Sequence, residues 1–216
     1  MKRSRPDHFS IKAKQEGYPA RSVFKLQEID RKHGILKKGY RVLDIGAAPG
    51  SWSMWTAEKV GPKGSVTAVD LKECAIPARY RNVTVLQGDA FSSDVRGKID
   101  ASGPFDVILS DAAPATTGNR TVDTARSAAL AEQCIAASGS LLREGGSLVF
   151  KLFQGGEEQQ LMQKLRELFA SVKTFKPKSS RKDSFEIFFI GVGFRPPAPP
   201  PAPPAPSSQQ ESREEA

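Results

Sequence analysis

Six short apolar runs, each closed by turn-forming residues, alternate along the chain with longer stretches of helical periodicity. The runs are Arg41–Ile45, Ser65–Asp70, Val83–Leu86, Phe105–Ser110, Ser147–Lys151 and Glu186–Gly191. Their Val, Ile and Phe content predicts strands covered on both faces. Apolar residues at helical spacing occupy Ser22–His33, Trp52–Lys59, Thr121–Leu142 and Glu157–Phe169. This alternation predicts an α/β fold, a largely parallel sheet with helices on both faces. The link from Leu71 to Asn82 is too short for a comfortable crossover helix, so it is read as irregular. Beyond Glu157–Phe169 a short strand is expected at Val172–Phe175, and ten residues separate it from Glu186. That spacing fits a hairpin-like reversal and predicts an antiparallel strand at one edge.

The pattern stops at Arg195. PPAPPPAPPAP (Pro196–Pro206) and the SSQQESREEA that follows hold no aliphatic residue larger than Ala. Such a segment cannot bury a core, and its prolines favour an extended polyproline backbone. One folded domain is therefore expected over residues 1–194, with 195–216 a disordered, solvated tail.

Composition narrows the class. Hydrophobic residues make up 38% and charged residues 26%, which suits a globular domain. The net charge of +8 favours contact with polyanions. It is unevenly placed: residues 1–41 hold twelve Lys or Arg against four Asp or Glu. A second cluster comprises Lys173, Lys176, Lys178, Arg181 and Lys182. Two cysteines, Cys74 and Cys134, lack metal-ligand spacing and suit a reducing cytosol. With no apolar run after the basic N-terminus and none of membrane length, the expectation is a cytoplasmic protein without a membrane partner and without a metal.

In open α/β sheets ligands bind where the strands end. The first strand, RVLDI, runs into GAAPGSW (Gly46–Trp52), placing Asp44 at its tip and Gly46, Ala48, Pro49 and Gly50 in a turn the backbone can bring close to a ligand. The second strand ends at Asp70, where a carboxylate accepts hydrogen bonds from ribose hydroxyls. The third leads into QGDA, putting Asp89 and Ala90 toward an adenine. Several acids around a glycine turn would repel a pyrophosphate, and Ala48 breaks the dinucleotide pattern. They suit an adenosine bearing an ammonium and no phosphate, which favours S-adenosylmethionine. The bland reading is that these acids only cap turns.

The fourth strand closes on Asp111 in LSDAAP, and the fifth carries Lys151 in VFKLFQGG. A lysine in such an apolar strand needs a partner. Asp111 is the candidate, whether for structure or for chemistry. With only His8 and His33 and no nucleophile elbow, a hydrolase triad has no convincing base. Trp52 and Trp55, three apart on a helix, are read chiefly as packing residues, and Trp52 is also a candidate cofactor contact.

The segments RSVFKLQEID, VLDIGAAPGSW, LQGD, LSDAAP, VDTARS, GGSLVFKLFQG and SSRKDSFEIF together resemble the FtsJ family of RNA ribose 2′-O-methyltransferases. The likeness spans roughly Phe9 to Phe194. It implies a Rossmann-like methyltransferase fold with a mostly parallel seven-stranded sheet, one strand antiparallel, and S-adenosylmethionine as cofactor. It also implies a Lys-Asp-Lys-Glu tetrad, carried over onto Lys25 of VFKL, Asp111 of SDAAP, Lys151 of VFKLFQG and Glu186 of SFEIF. The favoured substrate is a uridine in the 23S ribosomal RNA of the large (50S) subunit, met by a monomeric enzyme. Ser51 stands where the family commonly has a further glycine and is expected to cap the next helix.

Methyl transfer to a ribose requires a positioned hydroxyl and removal of its proton. Lys151 is the candidate for that step, either as a partly neutral amine that takes the proton or as an ammonium that stabilises the developing alkoxide, oriented by Asp111 and supported by Lys25 and Glu186. Lys2, Arg3, Arg5, Lys12, Lys14 and Arg21 are expected to grip RNA phosphates, Phe9 or Tyr18 to stack on a base, and the 173–182 cluster to form an opposite rim. The alternatives are 2′-O-methylation of tRNA or an mRNA cap, a non-catalytic ribosome-assembly factor, and a nicotinamide-dependent oxidoreductase, which Ala48 disfavours.

Overall fold

The computed structural model of the chain describes residues 7–181 and 183–197. In chain order the elements are α1 (His8–Gln15), α2 (Val23–His33), β1 (Arg41–Ile45), α3 (Ser51–Val60), β2 (Ser65–Asp70), β3 (Val83–Gln87), α4 (Ser93–Ser102), β4 (Phe105–Ser110), α5 (Arg120–Leu141), β5 (Leu142–Phe153), α6 (Glu158–Leu168), β6 (Phe169–Phe175) and β7 (Glu186–Phe194). They form one seven-stranded sheet in the order β3-β2-β1-β4-β5-β7-β6. The link between β2 and β3 is free of helix, as its length predicts.

Side-chain alternation assigns the two faces. Leu43, Ile108, Leu148, Phe150 and Phe189 pack under α4, α5 and α6, with the Phe150 and Phe189 rings stacked at 5.4 Å. Val42, Val107, Leu109, Val149, Phe188 and Ile190 pack under α1, α2 and α3. The second helix shows why this face closes: Val23, Leu26 and Ile29 form a buried stripe at three-residue spacing. It stops at Gly34, whose φ of 62° supplies the left-handed cap that a side chain would resist. Both faces are covered because both sets of side chains are apolar.

Three expectations need correction. The antiparallel strand is not at the edge: β7 lies between β5 and β6 and runs against both. Inserting it there buries its Phe188–Ile190 run on both faces, which an edge position would leave half exposed. Two helices carried too little apolar periodicity to be read in advance. Of α1 only Ala13 is buried, and α4 buries only Val95 and Ile99. Ser51 does not cap α3: Gly50 is the N-cap residue, and the Ser51 hydroxyl instead accepts a hydrogen bond from the Ala20 backbone N–H at 2.8 Å.

Candidate active site and cofactor cavity

Two ion pairs meet above the carboxyl ends of β4 and β5. Asp111 follows β4 directly, and Lys151 lies near the end of the adjacent β5. The Lys151 ammonium donates to the Asp111 backbone carbonyl at 2.6 Å and to its carboxylate Oδ1 at 2.9 Å. The second pair joins Lys25 of α2 to the first residue of β7, with 2.6 Å between Lys25 Nζ and Glu186 Oε1. All four side chains are largely shielded, between 8% and 16% exposed, which removes most of the solvent screening that makes surface pairs weak.

Strand register brings the pairs together. Lys151 lies opposite Phe188, and Phe153 opposite Glu186. Residues directly opposed, and those two apart along a strand, share a face, so Lys151 and Glu186 are diagonal neighbours on one face. Lys25 reaches that face from α2, its ammonium 5.8 Å from the Phe188 ring centre. The tetrad is therefore two compensated pairs with no net charge. Lys25 does not act on Lys151 as a free cation, because Glu186 offsets it at contact distance.

Beside the tetrad lies a cavity of about 850 Å³ lined by Gly46, Ala48, Asp70, Asp89, Ala90 and Asp111, among others. That volume suits a nucleoside-sized ligand. Gly46 is required here: at φ 76° a Cβ would lie 2.5 Å from the Ala112 side chain, so the turn and the end of β4 close on each other only without one. Asp70 fixes the turn, accepting from the Ala48 N–H at 2.9 Å and from the Lys72 N–H at 2.8 Å. Asp89 accepts from Phe91 N–H at 3.0 Å. These acids therefore do cap turns, and they line the cavity as well.

Asp44 is fully buried beneath the turn. Its Oδ2 accepts from the Ser53 hydroxyl at 2.6 Å, while Oδ1 has no partner among the described residues. Burial pushes its carboxyl up to about 7, and the charges of Asp111 and Asp70 add to the rise against the lowering effect of Ser53. An orphaned carboxylate oxygen and a concentration of negative charge fit a cationic ligand and would repel a phosphate. This donor set suits S-adenosylmethionine.

Four expected cofactor contacts do not line the cavity. Trp52 is 2% exposed on the α2 side of the sheet, its indole N–H donating to the Ser22 carbonyl and its ring 5.8 Å from that of Phe188. Gly50 turns toward Ile76, Pro49 lies beside it in the turn without lining the cavity, and Asp44 acts from below through its charge. Missed in the sequence was the segment Ala112–Thr116, which forms one wall. Its only signal was its position after Asp111.

The expected RNA rim is rearranged. Lys2, Arg3, Arg5 and Lys182 lie outside the described residues. Lys12 and Lys14 are exposed on α1. Arg21 is not free for phosphate: it pairs with Asp7, donates to the Ser179 carbonyl and lies 5.2 Å from the Phe9 ring. Through it the N-terminal region and the loop after β6 are bonded to each other, so they form one continuous rim and not two opposed ones. Tyr18 is 9% exposed and its hydroxyl donates to Glu58 at 2.9 Å, which makes it a core residue unable to stack on a base. Phe9 is half-buried against Phe24.

The fold agrees with comparisons to known proteins. A family model described as FtsJ-like methyltransferase matches residues 18–194. A ribosomal RNA large subunit methyltransferase E from Oleidesulfovibrio alaskensis is 51% identical, the match covering 90% of this chain and 94% of that protein. One of the same description from Treponema denticola is 44% identical, over 90% of this chain and 98% of that one. Among solved structures, a ribosomal RNA methyltransferase from Plasmodium falciparum superposes with a TM-score of 0.73 at 30% identity, covering 82% of this chain and 98% of that one. A fibrillarin from Aeropyrum pernix with bound S-adenosyl-L-methionine shares the fold at a TM-score of 0.56 and 16% identity, covering 79% of this chain and 76% of that one.

Proposed function

The chain belongs to the FtsJ-like methyltransferase family, and from that premise we propose that it methylates a ribose 2′-hydroxyl in the RNA of the large ribosomal subunit, acting as a cytoplasmic monomer with residues 1–194 as its catalytic unit. Its cofactor is S-adenosylmethionine, and its activity is that of an RNA methyltransferase. One observation supports the site assignment above the rest: two largely shielded Lys–carboxylate pairs from four remote segments share one sheet face beside an acidic, nucleoside-sized cavity.

When bound, S-adenosylmethionine supplies a sulfonium methyl and its own leaving group. The protein's task is to present the ribose oxygen in line and to manage its proton. Asp111 occupies two of the three hydrogen-bonding directions of the Lys151 ammonium. The third is left for the ribose oxygen, where the ammonium stabilises the negative charge that gathers as the hydroxyl proton passes to a water molecule and the oxygen attacks the methyl. Lys25, held by Glu186, orients the same hydroxyl from the α2 side. Asp70 and Asp89 bind and orient the cofactor, the buried Asp44 favours its positive charge from beneath the turn, and the exposed Lys12 and Lys14 grip phosphates together with Lys2, Arg3 and Arg5 of the N-terminus.

The test is to incubate purified protein with labelled S-adenosylmethionine and large ribosomal subunits, then map the product. A ribose 2′-O-methyl group on large-subunit RNA is expected. Label on a base, or on tRNA in preference to the subunit, would overturn the substrate assignment. RNA binding with no transfer would favour an assembly factor without catalysis.

A further inference from the structure

The Lys25–Glu186 pair is built into a closed ring of contacts that nothing above uses. Glu186 Oε1 accepts not only from Lys25 but also from the Ser180 hydroxyl, at 2.8 Å. Ser180 lies in the loop joining β6 to β7, and that loop is fastened to α2. Both carboxylate oxygens of Glu28 are used: Oε2 accepts from the Lys178 N–H at 2.8 Å and Oε1 from the Ser179 N–H at 2.9 Å. Glu28 stands three residues after Lys25 on the same helix, hence on nearly the same face. The ring thus runs from Lys25 along one turn of α2 to Glu28, across to Ser179 and Ser180, and through Glu186 back to Lys25.

We propose that Ser180 and Glu28 are positioning residues of this enzyme, holding the Glu186 carboxylate and with it the Lys25 ammonium in their catalytic orientation. The inference rests on the reading that the Lys25–Glu186 pair serves catalysis. The loop is otherwise long and basic, and a segment of that kind would wander at a rim that must admit RNA. Glu28 removes this freedom by satisfying two adjacent backbone donors at once, while Arg21 donates to the Ser179 carbonyl. Ser180 then supplies the one hydroxyl that fixes the rotation of the Glu186 carboxylate. A carboxylate held by an ammonium alone could swing about it, because ammonium hydrogen bonds carry little angular preference. The added hydroxyl defines the plane.

The test is a double-mutant cycle on methyl transfer, with melting temperature and the KM values for cofactor and RNA followed in parallel. Ser180→Ala should lower kcat roughly tenfold, the size of one lost hydrogen bond to a charged group, with both KM values nearly unchanged. Ser180→Thr, which keeps the hydroxyl, should restore most of the rate. Glu28→Gln, which can accept from only one of the two N–H groups, should lower kcat and speed hydrogen exchange of the Lys178 and Ser179 amides. In a Glu186→Gln background neither substitution should reduce kcat further. Effects that multiply with Glu186→Gln, or a Ser180→Ala enzyme of full kcat, would overturn the proposal. If Glu186→Gln itself leaves kcat intact, the catalytic reading of the pair fails instead.

Discussion

Lys151 Nζ lies 2.6 Å from the carbonyl oxygen and 2.9 Å from the carboxylate of the same residue, Asp111. A two-point grip by one partner sets where the remaining N–H directions of the ammonium go, and the 8% exposure of Lys151 leaves it little freedom to reorient. The contact can be broken from either side. Lys151→Ala should lower kcat by about a thousandfold, the order for losing a positioned charge-stabilising group. Its RNA affinity should stay close to that of the wild type, while its melting temperature should fall somewhat, because the Asp111 carboxylate, 16% exposed, also loses its counter-charge. Asp111→Ala should be equally inactive and also less stable, because a shielded ammonium is left without its counter-charge. Single-turnover rates beside thermal melts would check both. A Lys151→Ala enzyme with a tenth or more of the wild-type rate would remove Lys151 from the chemistry.

The Asp44 carboxyl makes a pH prediction whose sign is fixed. Burial raises it from the ordinary 3.8 to about 7 in the folded chain. Between those two values the folded state binds the proton more tightly than the unfolded state, so stability contributed by this group is present at low pH. It is lost as pH rises toward 7. The ligand-free protein should therefore lose stability from about pH 4 to pH 7 on account of Asp44, and Asp44→Asn should flatten that component of the curve. A cationic ligand favours the ionised carboxylate. Binding of S-adenosylmethionine should accordingly release protons near pH 7, as calorimetry in two buffers of different ionisation heat would show. Proton release unchanged in Asp44→Asn would count against this assignment.

Much of this was legible in the chain because it is local. Arg41–Ile45, Ser65–Asp70 and Phe105–Ser110 are strands over the spans their apolar runs mark. The glycine turn also declares itself, since Gly46 is demanded by a contact with Ala112 that no other residue permits. What was hidden is non-local or weakly patterned. The place of β7 between β5 and β6 is a matter of strand order, which spacing along the chain does not encode. The first helix offers a single buried residue, and α4 has a pair four apart interrupted by Gly97. Among the candidate site residues, Trp52 misled because a helix start beside a ligand turn puts half its side chains on the far side. Arg21 misled because charge alone does not reveal that Asp7 and Ser179 already claim it.

That last distinction separates two kinds of basic residue, and salt dependence can tell them apart. Lys14 is exposed on α1 and forms no ion pair with a described residue, so its role in RNA binding would be one of releasing a counterion at a phosphate. Lys14→Ala should weaken RNA binding, lower the slope of log affinity against log salt by about 1, and leave kcat unchanged at saturating RNA. Arg21→Ala should do the reverse. Its guanidinium is spent on Asp7 and on the Ser179 carbonyl, so the salt slope should hardly move. The loop carrying Ser180 would lose one of its fastenings, however, and kcat should fall several-fold through the Glu186 contact. Filter-binding titrations over a range of salt, paired with saturating turnover assays, would measure both quantities. If Arg21→Ala flattens the salt slope as Lys14→Ala does, Arg21 meets phosphate after all, and its bonds to Asp7 and Ser179 give way when RNA arrives.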